Sequence, residues 1–431
     1  MELTERRDLR GGRPCWSAEN IECAVSDKLP ETFVDVAIVG AGVMGAMLAE
    51  RLSHDGRRVL LLDRRPPAHG STAASTALVM WAADVPLSHL SARIGVTEAA
   101  RRWRRVYAAA QRLAQKASSL ECGWIARPEL YLAGTLLDEA GLRTEERVRR
   151  TAKLPTEFLD SDTVAARFGI APRAALLSQG CYEVDPVKLT LALLSRDRRH
   201  GTAACFPVDV TRLEPAGDAI RVWMEDGASI CARDVILATG YERATWFLPP
   251  QFTVGSSYAI ATPPGCAPLW RENAMIWEAS SPYLYARATS DGRVIAGGED
   301  EDFADAHQRD ALINAKSGRI RAKLEAMTGR PEIATDCAWA AAFGSSPDGL
   351  PAIGRAAGYD HLWLASGFGG NGITFAALAT ELLAGALDGK PDADSGCFDP
   401  YRFGPHHIDQ TAASSGVPTA SSTDEGTPSY R

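Results

Sequence analysis

Gly40, Gly42 and Gly45 stand in the spacing Gly-x-Gly-x-x-Gly, and Asp63 lies eighteen positions beyond the last of them. Residues of these types at these intervals can hold a dinucleotide. Gly40 permits a tight turn, Gly42 lets the backbone approach a pyrophosphate, and Gly45 lets a helix pack closely on a sheet. Val43 and Met44 open that helix, where unpaired N–H groups and a partial positive charge favour the diphosphate. Asp63 is placed to accept hydrogen bonds from the adenosine ribose hydroxyls. Its charge disfavours a 2′-phosphate, although Arg64 and Arg65 beside it keep NADP open.

A glycine triplet alone is a weak signal, and its context strengthens it. Residues 36–39 form an unbroken apolar run that predicts a buried strand. Met44, Met47, Leu48 and Leu52 make the apolar stripe of a following helix, and residues 59–62 predict a second strand that ends at Asp63. The unit is therefore strand, glycine turn, helix, strand and acid.

The chain has 431 residues, more than one hydrophobic core serves, so two domains are expected. With 45% hydrophobic and 23% charged residues it has the composition of a globular protein. A net charge of −8 argues against a nucleic-acid partner. The densest basic run, Arg101, Arg102, Arg104 and Arg105, reads as a solvated helix face. Nine cysteines without Cys-x-x-Cys spacing point to reduced thiols and no zinc, and no metal site is expected. The charged first thirty residues do not read as a secretory signal, and residues 361–380, free of charge but rich in glycine, make a poor membrane span. No membrane association is expected, and the location is read as cytoplasmic.

Helical patterns run over 99–117, 138–153, 189–199 and 305–328. Strand patterns cover 203–210, 220–224 and 230–239, and a meander is expected over 257–261, 283–288 and 293–297. Residues 1–33 read as an N-terminal arm in which Pro14, Cys15 and Trp16 pack on the body, and 404–431 read as a disordered tail.

Two later segments bear on the cofactor. Residues 235–240, Val-Ile-Leu-Ala-Thr-Gly, form a buried strand whose end, Ala238, Thr239 and Gly240, can pass close to a ligand. Residues 364–374, Leu-Ala-Ser-Gly-Phe-Gly-Gly-Asn-Gly-Ile-Thr, form a glycine-dense turn opening onto a helix, a second end suited to negative charge. A nicotinamide enzyme needs one such end; a flavin enzyme can use the second for the reduced ring.

Taken together with these segments, residues 34–403 resemble the flavoprotein family of D-amino-acid oxidase, glycine oxidase and sarcosine oxidase. The motifs, in order, are Gly40 to Gly45, Gly70-Ser-Thr-Ala-Ala-Ser-Thr76, Asp185-Pro186, Ala238-Thr-Gly240, Pro347-Asp-Gly-Leu-Pro-Ala-Ile-Gly354 and Gly367-Phe-Gly-Gly-Asn-Gly372. The resemblance implies an α/β FAD-binding domain, Rossmann-like with a parallel sheet, and a second α+β substrate domain built on an antiparallel sheet. The first is assigned to 34–110, 177–250 and 335–403, the second to 111–176 and 251–334. It also implies non-covalent FAD wrapped by separated segments. Ser71, Thr72, Ser75 and Thr76 would lie along the diphosphate and flavin, and Val210 beside the adenine. Gly367, Gly369, Gly370, Asn371, Gly372, Ile373 and Thr374 would face the pyrimidine edge. His69 and Cys337 are conceivable covalent anchors, but neither falls where the resemblance puts one.

In such enzymes an amine C–H is oxidised by hydride-equivalent transfer to flavin N5, water hydrolyses the imine, and oxygen or another acceptor takes the electrons. Tyr258, Tyr285 and Arg287 fall on predicted substrate-domain strands, with Tyr285 and Arg287 on one face. They are candidates for an anionic or polar substrate group, or structural residues of the sheet. The resemblance places a carboxylate-clamping arginine five positions before Asp348, where this chain has Phe343. The expected substrate is accordingly a small amine, an N-alkyl amine or a modified amino acid. Two other readings stand beside the oxidase: a dehydrogenase delivering electrons to a quinone or carrier protein, and a redox-inactive flavin-binding assembly component.

Overall fold

Of four adjacent parallel strands three end level with one another, and this shared edge organises the cofactor half of the molecule. In the computed structural model, which describes residues 1–3, 5–16, 27–30, 33–197, 202–266 and 268–404, Val34–Val39 lies between Val59–Leu62 and Ser229–Leu237, with Leu362–Ser366 beyond. Val39 is opposite both Leu62 and Leu237, and Leu237 is opposite Leu364. Gly40, Asp63 and Ala238 are therefore the first residues past the same edge, and Leu362–Ser366 runs on beyond it by two residues. Ligands of open α/β sheets bind beyond the carboxyl ends of the strands. These strands are nearly all buried and apolar, as expected where helices cover both faces. Ala203–Cys205 extends the sheet on one side, and Ala352–Arg355 pairs antiparallel on the other.

The turn after Val39 works only with glycine. Gly40 has φ +115°, and a Cβ there would lie 2.3 Å from the Ala238 carbonyl oxygen. A Cβ on Gly45 would overlap the carbonyl oxygen of Gly40 at 1.8 Å, so the helix Val43–His54 can sit this close only because that position has no side chain. The helix packs against Gly372–Leu387 and Pro186–Asp197.

The second sheet orders its strands Arg10–Gly12, Cys337–Ser345, Thr253–Ala261, Val294–Glu301, Leu284–Ala288, Met275–Glu278, Ile125–Leu132, Ala175–Glu183 and Leu78–Val79. Its pairs are antiparallel except that between Met275–Glu278 and Ile125–Leu132. Sheet membership departs from the division expected above, because residues 337–345 and 175–183 run in this sheet rather than in the parallel one. Cys337–Ser345 carries Ala338, Ala340, Ala341 and Ala342, a composition with little strand propensity. Pairing along its whole length with Thr253–Ala261 outweighs that propensity.

The N-terminal arm is part of the body. Arg10–Gly12 is the edge strand beside Cys337–Ser345, while Arg6 pairs with Asp209 and Glu225 on the opposite side. Trp16 packs as expected and donates its indole N–H to the Ser75 carbonyl at 2.7 Å. Residues 405–431 of the expected tail lie outside the described residues. The basic run of the long helix Val96–Ala117 is not a solvated face: Arg101, Arg102 and Arg105 pair with Asp394, Asp348 and Glu381, and Arg105 is buried. Among the described residues, no helix is long and apolar enough to cross a membrane.

Candidate active site

A cavity of about 450 Å³ runs from the level strand ends to the antiparallel sheet. At one end it is lined by Asp63, Arg64, Val210 and Glu242, and at the other by Tyr131, Trp277, Tyr283 and Asp300. Between them lie Gly40, Gly42, Val43, Met44, Ser71, Thr72, Ser75, Thr76, Ala238, Thr239, Gly240, Gly367, Gly369, Gly370, Gly372 and Ile373. Segments separated by more than three hundred residues of sequence thus meet on one cavity.

At the first end, Asp63 takes the Ala41 N–H at 2.7 Å on one carboxylate oxygen and the Arg65 N–H at 2.8 Å on the other. Each oxygen keeps a lone pair for a ribose hydroxyl. Burial raises the Asp63 carboxyl above its ordinary range, and the two backbone donors oppose that rise. Arg64 and Arg65 are tied to buried Glu242, with Arg64 at 2.8 Å and Arg65 at 3.3 Å. Their pairing removes the free cations that a 2′-phosphate would require. Asp63→Ala should weaken FAD binding by about 1.5–3 kcal/mol, measured by titrating apoprotein with FAD; an unchanged Kd would remove Asp63 from the site.

The diphosphate turn has the features a phosphate needs. The Val43 N–H donates to Thr72 Oγ1 at 3.0 Å, and a Cβ on Gly42 would lie 3.0 Å from the same oxygen. Ser71 Oγ is buried without a hydrogen-bond partner. A bare glycine, a helix N-terminus and an orphaned hydroxyl converge here, and FAD fits them. Three side chains hold the carbonyls of the next three residues: Trp339 donates to Ala74 at 2.9 Å, Trp16 to Ser75 at 2.7 Å and Arg287 to Thr76 at 2.6 Å.

Four expected site residues do not line the cavity. Gly45 lies beneath the turn. Asn371 and Thr374 are buried and donate to the carbonyls of Ala82 at 2.5 Å and Met80 at 2.7 Å, which fixes the second glycine turn to the segment before Asp84. Arg287 is the clearest correction. It is 1% exposed, its donors go to the carbonyls of Thr76, Val184 and Ala288, and it stands 3.7 Å from Glu183 and 5.3 Å from the Trp16 ring. It holds the loop that ends at Thr76 in place, and it is buried outside the cavity lining rather than facing a substrate. His69 and Cys337 are likewise absent from the lining.

Tyr258 borders the cavity, but its ring belongs to the opposite face of the sheet. It packs with Ile260, Ala340, Ile320 and Leu324, with the Lys316 ammonium 5.4 Å from the ring. Burial pushes its phenol up to about 12. Tyr285 and Phe343 do line the cavity. Beside them is a group that sequence reasoning missed. Tyr131 and Trp277 stack with centroids 4.1 Å apart, Tyr283 lies 5.9 Å from Tyr285, and Tyr283 Oη donates to Asp300 Oδ2 at 2.7 Å. Asp84 accepts the Gly370 N–H at 2.9 Å, and burial pushes its carboxyl up to about 6. Burial raises Asp300 as well. The alternation Tyr283-x-Tyr285 was a usable signal of two rings on one face; the lone aspartates carried none.

A family model described as FAD dependent oxidoreductase matches residues 35–386. The chain belongs to that family. It is an FAD-dependent enzyme, and the redox-inactive reading falls away. It is 27% identical over 394 residues to the tRNA 5-methylaminomethyl-2-thiouridine biosynthesis bifunctional protein of Burkholderia thailandensis, covering 83% of this chain and 57% of that one. The chain thus spans little more than half the length of that relative. It is 25% identical to the monomeric sarcosine oxidase of Streptomyces avermitilis, covering 86% of this chain and 97% of that one. Among solved structures, glycine oxidase from Geobacillus kaustophilus superposes with TM-score 0.70 at 18% identity, covering 88% of this chain and 100% of that chain. L-proline dehydrogenase from P. horikoshii gives 0.71 at 19%, covering 87% and 98%. These last two establish the fold.

Proposed function

We propose that this enzyme oxidises the C–N bond of an amine or N-alkyl amine that lacks a carboxylate beside the nitrogen, forming an imine, with oxygen or another acceptor receiving the electrons. The observation that carries the reading is Phe343, an apolar lining residue where resemblance to the amino-acid oxidases calls for arginine. Arg287, the alternative clamp, is spent on backbone carbonyls. The cationic residues that line the cavity are Arg64, Arg65 and Arg243, all near Asp63 and Val210 and engaged by Glu242 or Asp209. A buried carboxylate without a partner is strongly disfavoured.

FAD, when bound, supplies the acceptor for a hydride equivalent. The chain's own residues would bind and orient the amine and keep water away from it. Phe343, Trp277 and Tyr131 form apolar wall, and Tyr283 fixes the Asp300 carboxylate by its hydrogen bond. Tyr285, its phenol pushed up to about 12 by burial and then by Asp300, stays a neutral donor at any working pH. Anaerobic stopped-flow reduction with matched pairs tests the reading. N-methylbutylamine should reduce the flavin faster than sarcosine, and butylamine faster than glycine or D-alanine, at equal concentration. Faster saturable reduction by the amino acids would overturn it.

A further inference from the structure

The far end of the cavity is lined by acids and, among the described residues, by no cation. Asp84 and Asp300 both line it, and after burial the Asp300 charge raises the Asp84 carboxyl further. Asp300 Oδ2 is taken by Tyr283, but Asp300 Oδ1 is buried without a hydrogen-bond partner. Glu278, the other acid on this wall, is already committed to Arg173 at 2.5 Å and to the Leu284 N–H at 2.9 Å. Among the described residues, no lysine, histidine or arginine lines this end. Four rings, Tyr131, Trp277, Tyr283 and Tyr285, line the same end. Carboxylates and aromatic rings around a water-poor space are the two kinds of group that stabilise an organic ammonium. Two carboxylates on a cavity wall with no cation in the lining beside them are costly, and a bound cation would relieve both.

We propose that this end of the cavity is a cation site, in which Asp84, Asp300 and the four rings hold a second, non-reacting ammonium of the substrate. The preferred substrate is then a diamine or an amine bearing a quaternary ammonium, with one nitrogen held as a cation while the other presents its C–H bond for oxidation. This rests on the amine-oxidation reading above and narrows it to a charge class.

The test uses FAD-loaded enzyme and two measurements. In stopped-flow reduction, N-methyl-1,4-butanediamine should show an apparent Kd about tenfold or more below that of N-methylbutylamine, a factor that corresponds to one good charge-assisted contact. In Asp300→Asn and Asp84→Asn, which keep shape and remove charge, that ratio should fall toward one. Calorimetric titration with tetramethylammonium, which cannot be oxidised at a C–N bond bearing N–H, should show saturable binding that the diamine displaces and that both variants weaken. Equal Kd values for the diamine and the monoamine in the wild-type enzyme overturn the cation site, as does a ratio that survives both substitutions. If no amine reduces the flavin yet tetramethylammonium binds and the variants lose it, the oxidation reading fails and the cation site stands. If amines reduce the flavin without preference and tetramethylammonium does not bind, the cation site fails and the oxidation reading stands.

Discussion

Gly42→Val is expected to give a folded, colourless protein, whereas the wild-type protein should purify yellow and release FAD rather than FMN on denaturation. The added Cβ would start 3.0 Å from Thr72 Oγ1, and its two methyl groups would fill the space in which backbone meets diphosphate. The strand before the turn and the helix after it pack through Gly40 and Gly45, so the substitution removes the ligand's place while leaving the turn's own close contacts intact. FMN lacks the adenosine half for which Asp63 and Val210 line the cavity. Gly318→Ala is the matching control. It lies on Ile313–Thr328, an added Cβ there meets nothing within 4 Å, and it should keep its flavin and gain about 0.5–1 kcal/mol. Flavin absorbance per folded protein, with circular dichroism for the fold, decides the matter. A full complement of FAD in folded Gly42→Val protein would overturn the assignment of this turn.

The largest loss of stability is expected at Glu145. Glu145 and Arg149 are both 0% exposed and joined at 2.8 Å on the helix Glu139–Thr151. Glu145 also accepts the N–H groups of Leu87 at 2.9 Å and Ser88 at 2.7 Å, so it caps the start of Leu87–Ile94. The Arg149 guanidinium sits 5.0 to 5.6 Å from the rings of Trp103, Tyr131 and Trp81, with two of its nitrogens lacking a hydrogen-bond partner. Glu145→Ala would strand that cation and two helix-end donors in an apolar interior. The expected cost is about 3–5 kcal/mol, read as a lower urea midpoint with an unchanged slope. Glu145→Ala combined with Arg149→Met should recover part of that loss, because the unpaired charge is gone. A single-variant cost under about 1 kcal/mol would show that the pair contributes little. Tyr131 lies between this pair and the cavity, so the same substitution should also disturb substrate binding.

The cofactor half was legible because its signals are local. The glycine turn, the helix after it and Asp63 lie within one strand-helix-strand unit, and close backbone approaches of 1.8 and 2.3 Å leave glycine no substitute at positions 45 and 40. The substrate end was not legible. Asp84 stands in the segment 81–84, Trp-Ala-Ala-Asp, Asp300 ends a glycine-rich strand, and Tyr131 and Trp277 sit on strands 146 positions apart in the chain. Nothing local announces that they meet. Arg287 stayed open between a substrate role and a structural role for a related reason: strand alternation placed it on the face of Tyr285, but its hydrogen-bond partners Thr76 and Val184 come from distant loops. Cys337–Ser345 was missed as a strand because its alanines carry no pattern, and neighbours on both sides impose the conformation.

The N-terminal arm touches both sheets and the cavity at once. Leu9 lines the cavity, its carbonyl accepts the Ala342 N–H at 2.8 Å, and Arg10 reaches the His69 carbonyl at 2.9 Å, one residue before the loop that begins at Gly70. Glu5 accepts the Arg243 N–H at 2.9 Å on the other flank. An element in this position is a strap, and its docking and the retention of FAD are thermodynamically linked. Whatever factor the docked strap adds to FAD affinity, bound FAD must add to the docking of the strap. Protection of residues 5–12 from protease or from amide exchange is therefore a gauge of cofactor occupancy that needs neither colour nor turnover.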